Sequence, residues 1–194
     1  MKSVYFKFTF LVLALVLNYS VSFSQEDDNG NTSKENQVSE SNISGDLSAA
    51  QIDEFLQSHN KLRGEVGCPP LTWSDELAAF AKAWGEHLVQ TGCKFEHRPG
   101  SGEWAQKYGE NLWMGNGFTP TPSTAVESWG SEKKDYDGGV ISDKNSAAWH
   151  YTQAIWSKTT QVGCAIVQCS DGSYIIVCNY DPSGNYSGES PTQK

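Results

Sequence analysis

Apolar residues recur at helical spacing at Ile52, Phe55, Leu56 and Leu62, just behind a Ser48/Gln51 pair spaced as a capping box. That predicts a helix, which Gly67 and Pro69-Pro70 end. Ser74 is placed to cap a second helix with an apolar stripe of Leu77, Phe80, Ala81, Trp84 and Leu88, closed by Gly92. Thr121-Pro122 suits the start of a third, shorter helix carrying Val126 and Trp129, and a helical turn fits Tyr151 to Trp156. The pattern changes to period two near the C-terminus. Val162 to Gln168 and Tyr174 to Asn179 flank Ser170-Asp171-Gly172-Ser173, an Asp-Gly hairpin turn, and a further strand is expected over Gly109 to Met114. Helices around a small antiparallel sheet make a layered α+β fold rather than a doubly wound one.

The first residues follow a different logic. Lys2 and Lys7 precede the apolar run Phe8 to Leu17, and Ser22 and Ser24 offer small residues before a cleavage point at Gln25. This reads as a signal peptide over 1–24, with an apolar core too short to span a membrane. Residues 25–46 are almost wholly polar and acidic and read as a disordered spacer, so the folded domain is expected over 47–194. The expected location is therefore extracellular.

The formal charge is −9, and loss of the leader would remove two further lysines. An acidic chain is a poor partner for nucleic acid or an anionic membrane, and no later run is long enough for a membrane span. A monomer is expected. Export makes disulfides the default for the five cysteines, with one thiol left over. Cys164 and Cys169 lie five apart on one strand and so leave opposite faces, whereas Cys164 lies nearly opposite Cys178 across the hairpin. Cys169 needs a partner on the other face, for which Cys93, just after the second helix, is better placed than Cys68 in its Pro-bounded turn. Asn31, Asn42 and Asn185 sit in glycosylation sequons.

Four segments stand in order: His59-Asn60-Lys61-Leu62-Arg63, Gly109-Glu110-Asn111-Leu112, His150-Tyr151-Thr152-Gln153-Ala154-Ile155-Trp156, and Cys178-Asn179-Tyr180-Asp181-Pro182-Ser183-Gly184-Asn185-Tyr186. Together they resemble the signature motifs of the CAP superfamily of cysteine-rich secretory proteins, antigen 5 and plant pathogenesis-related protein 1, over about Gln51 to Tyr186. The resemblance implies an α-β-α sandwich with a cleft lined by His97, Glu110, Glu132 and His150. It implies the bridges Cys93–Cys169 and Cys164–Cys178, leaving Cys68 free. In some relatives the loop before the second cleft histidine helps bind sterols; here it runs from Asp135 to Trp149, carries Tyr136, Val140, Ile141 and Trp149, and lacks the cysteine pair of plant relatives.

Two imidazoles and two carboxylates on a wet cleft can hold Zn²⁺ or another divalent cation. The same four can instead form a hydrogen-bonded network that stiffens the sandwich. The chain has neither a Gly-x-Ser-x-Gly elbow nor an HExxH helix, and no catalytic residue is assigned. The function expected is an extracellular binding module acting through this cleft on a metal ion, a small hydrophobic ligand such as a sterol or fatty acid, or a partner surface. The alternative is a secreted metal-dependent hydrolase. His59 is expected as a half-buried packing residue, His87 as solvent-facing, and Trp104 and Trp149 as exposed loop residues.

Overall fold

A computed structural model describes residues 46–192 of the chain. The leader and all but the last residue of the spacer lie outside the described residues. Helix α1, Ala49–Gly64, begins with a reciprocal cap: the Gln51 amide donates to Ser48 Oγ at 3.3 Å and the Ser48 amide to Gln51 Oε1 at 2.9 Å. A two-residue strand β1, Thr72–Trp73, leads into α2, Asp75–Gln90, whose Leu77 amide is capped by Ser74 Oγ. Then come β2, Gly109–Gly115, and α3, Pro122–Ser131. Two 3₁₀ turns, Glu132–Asp135 and Asp143–Ala148, precede α4, Trp149–Ala154. The hairpin β3, Gln161–Gln168, and β4, Tyr174–Asp181, ends the regular structure, with Gly172 at φ +86° in its turn.

The sheet order is β1-β3-β4-β2. β2 and β3 both run antiparallel to β4, and β1 joins the far edge parallel to β3. The sheet is thus mixed rather than purely antiparallel, because a strand as short as β1 leaves no periodic signal to read.

Period-two alternation sorts the strands into two cores. Phe55 of α1 and Ala125, Val126 and Trp129 of α3 pack with Val162, Cys164, Ile176, Cys178 and Tyr180 on one face. Ala81, Trp84 and Leu88 of α2 pack with Leu112, Ala165, Val167, Ile175 and Val177 on the other. The architecture is an α-β-α sandwich. One helical layer is stapled to the sheet region, since Cys93, just past α2, bridges Cys169, while Cys164 bridges Cys178 within the sheet, directly across the β3–β4 ladder. Cys68 is a buried free thiol whose Sγ donates to Ile155 O at 3.1 Å.

Arg63 is fully buried and joins α1 to the α4 corner. Its guanidinium donates to the carbonyls of Pro69, Ala154, Trp156 and Thr159 at 2.6–3.0 Å. The planar fork supplies donors in several directions at once, which a lysine cannot match.

Candidate functional site

β2 is one edge strand, opposite β1, and its consecutive residues Glu110 and Asn111 point to opposite faces of the sheet. Glu110 therefore belongs to the α2 side. Asn111 belongs to the α1/α3 side, where its Nδ2 donates to His150 O at 2.9 Å and to Tyr180 Oη at 3.2 Å. Two adjacent side chains thus fasten the two layers at one place, and a cleft of about 740 Å³ opens there. His97, Glu110, His150, Trp149, Gln153 and Tyr186 are among its lining residues.

The four expected cleft residues come together as two pairs. On the α2 side, His97 Nδ1 lies 2.9 Å from Glu110 Oε1, which also accepts the Arg98 amide at 3.1 Å. On the other side, His150 Nδ1 lies 2.8 Å from Glu132 Oε1. Glu132 Oε2 accepts the backbone amides of His150 and Tyr151 at 3.1 and 3.2 Å, satisfying orphan donors at the start of α4. The imidazole rings lie 6.4 Å apart at 25°, and Trp129 stacks on the far side of His150 at 6.2 Å. A carboxylate on Nδ1 fixes each histidine's tautomer and orientation and leaves Nε2 for whatever enters the cleft. Among the described residues no three His, Cys, Asp or Glu side chains converge as one metal-binding group. Each carboxylate contacts one imidazole through Nδ1, so the four residues stand as two separate pairs.

The Glu110 side chain is wholly buried, and behind it lies Arg98. Arg98 Nε is 3.8 Å from Glu110 Oε2, and the guanidinium carbon sits 3.7 Å over the Phe80 ring, with Trp84 and Trp104 completing an aromatic box. Burial pulls the Arg98 guanidinium below its ordinary range while the Glu110 charge pulls it back up. Sequence reasoning missed this residue. Nothing in Glu96-His97-Arg98-Pro99 distinguishes a buried arginine from a solvated one.

The Asp135–Trp149 loop divides. Trp149 lines the cleft and is 40 % exposed, as is Tyr186 opposite at 50 %. Tyr136 and Val140 lie outside the cleft lining, and Ile141 is buried, its backbone paired with Gly188 and Glu189. Ile141 is core because the C-terminal segment folds over it, a contact no local pattern announces.

Other expectations need correction. His59 is fully buried, and hydrogen bonded rather than merely packed: Nδ1 lies 2.8 Å from Phe55 O and Nε2 2.9 Å from Tyr180 Oη. His87 stacks on Trp84 at 5.0 Å and on Trp104 at 4.4 Å instead of facing solvent freely, and Trp104 is half-buried by the same stack.

A three-layer sandwich with two histidine–carboxylate pairs beside one end of its sheet defines a protein class. A family model for the cysteine-rich secretory protein (CAP) family matches residues 56–180, and the chain belongs to that family. It is 44 % identical over 143 residues to pathogenesis-related protein 1A of Nicotiana tabacum, covering 71 % of this chain and 79 % of that one. Against pathogenesis-related protein 1 of Arabidopsis thaliana the identity is 41 % over 138 residues, covering 71 % and 80 %. Among solved structures, NaASP2 with Zn²⁺ superposes with a TM-score of 0.64 at 22 % identity, covering 76 % of this chain and 87 % of that one, a likeness of fold.

Proposed function

We propose that this chain is an exported binding module whose cleft takes a divalent cation between His97 and His150. One observation carries the reading: both imidazoles are held through Nδ1 by a carboxylate, at 2.9 and 2.8 Å, with the two rings 6.4 Å apart on one cleft. Imidazole nitrogen suits Zn²⁺, and a site with two protein ligands leaves coordination positions for a ligand or partner group. A bound cation would supply positive charge and open coordination positions. The protein's part is orientation, through Glu110, Glu132 and the amides that fix them. Trp149 and Tyr186 add exposed aromatic surface for a small hydrophobic ligand or a partner chain at the same mouth. Export is supported by the leader-like sequence and by two disulfides in a chain with five cysteines.

Thermal melting with and without Zn²⁺ tests the reading. At about 100 times the dissociation constant, binding stabilises by about 2.7 kcal/mol, which for a domain of this size is a rise of roughly 5–10 °C. The rise is expected at pH about 7.5 and should shrink in acid, because a metal-ligating imidazole must be in its neutral form. His97→Ala and His150→Ala should each abolish it. No shift in the unmodified protein, with a large loss of stability in His150→Ala, would instead make the four residues a structural network. The hydrolase alternative requires turnover of an ester or peptide that disappears in the same variants.

A further inference from the structure

Arg98 is one of the least expected residues in the molecule: a guanidinium 5 % exposed, stacked on Phe80 and boxed by Trp84 and Trp104. Aromatic stacking alone does not account for its placement. Its Nη2 donates to Phe80 O at 2.6 Å and its Nη1 to Trp104 O at 3.5 Å, so two edges of the fork are tied to backbone. The third nitrogen, Nε, is buried without a hydrogen-bond partner and lies 3.8 Å from Glu110 Oε2. The other group near that oxygen is Asn179 Nδ2, at 3.5 Å. Burying a carboxylate is costly unless a positive charge and donors face it. The two halves of the cleft meet this cost differently. Glu132 is partly exposed and takes two backbone amides, whereas Glu110 is wholly enclosed and takes one, that of Arg98, with the Arg98 guanidinium behind it.

We propose that Arg98 is a positioning residue for the cleft: its charge, set behind Glu110, holds that carboxylate in place so that Glu110 fixes His97 with Nδ1–H inward and Nε2 toward the cleft. The effect on any cation is indirect, since Arg98 reaches His97 only through Glu110. The idea rests on the cation-site reading for its purpose. The geometry it predicts exists in the metal-free protein, so the two can fail separately.

The test reads the imidazole nitrogens of His97 and His150 by ¹⁵N–¹H correlation in metal-free protein, followed by Zn²⁺ titration. In the unmodified protein both rings should give a single Nδ1–H tautomer. In Arg98→Gln, which keeps an amide for the Phe80 carbonyl while losing the charge, His97 should lose its fixed tautomer. His150, with its own carboxylate, should be unchanged. Zn²⁺ affinity should fall roughly 10–100-fold, as for other groups that orient a ligand from behind. Arg98→Lys should restore the His97 signature. An Arg98→Gln protein with an unaltered His97 tautomer overturns the proposal, and so does an equal change at His150, which would mark a general loosening of the fold. Should Arg98→Gln not fold, Arg98→Lys decides alone: loss of the single His97 tautomer there overturns the role of charge. Absence of Zn²⁺ binding in the unmodified protein, with the His97 tautomer still dependent on Arg98, would overturn the cation reading and leave the positioning role standing.

Discussion

His59 touches two oxygens, and the chemistry of each fixes its proton. Phe55 O can only accept, so Nδ1 carries the hydrogen and Nε2 accepts from Tyr180 O–H, which in turn accepts from Asn111 Nδ2. Complete burial, helped by the nearby Arg63 charge and opposed by the Phe55 carbonyl, pulls the His59 pKa down to about 4. The unfolded chain, with histidine at its ordinary value of about 6.5, binds the proton more readily. This contribution to stability is therefore full above pH about 6.5 and is lost as pH falls toward about 4. Its whole size is about 3 kcal/mol at 1.36 kcal/mol per pH unit. Unfolding free energy measured by urea titration across that window should show this slope, and His59→Gln should flatten it. An unchanged slope in the variant would show that His59 is not the group responsible. The sequence placed His59 on the apolar face of its helix, but only the β4 strand arriving over it reveals Tyr180 as its partner.

Elements in this fold meet at distances set by single residues. Gly163 in β3 lies against the first turn of α2, where a Cβ would be driven into the backbone of Ser74, Leu77 and Ala78. Backbone on that scale cannot step aside. Gly163→Ala should cost about 3 kcal/mol, at the upper end of overpacking effects, and Gly163→Val more. Chemical denaturation would check this; a variant within about 0.5 kcal/mol of the parent would mean that α2 can shift freely on the sheet. The caps of α1 and α2, the presence of the first three helices and the Asp-Gly hairpin were legible, because each depends on neighbours within a few positions, whereas α4 begins at Trp149, two residues before the expected turn. The strand β1 was not, since two residues held by β3 alone carry no periodicity of their own.

The whole molecule depends on three layers staying together, and only one of the two disulfides joins a helical layer to the sheet. Cys93–Cys169 closes 76 residues of sequence and ties the end of α2 to the end of β3, whereas Cys164–Cys178 closes only 14 within one hairpin. By loop-closure entropy the longer bridge is worth about 4 kcal/mol and the shorter about 3 kcal/mol. Paired Cys→Ser substitutions compared by thermal melting should follow that order, and the reverse order would mean that strain or residual structure outweighs loop length. The sequence by itself determined the layered class, the position of most elements, and, through strand parity, which cysteines leave which face. Those are consequences of period and local chemistry. Its four cleft residues could be grouped only by resemblance to a family, because 53 positions separate His97 from His150 with no shared helix face. Tertiary structure alone decided that Glu110 and Asn111 fasten opposite layers at the sheet edge. It also decided that each carboxylate meets its imidazole at Nδ1, and that Arg98 is enclosed by aromatic rings beside Glu110. Burial, and the charge compensation it demands, arise only when distant segments exclude water together, and no local pattern records that.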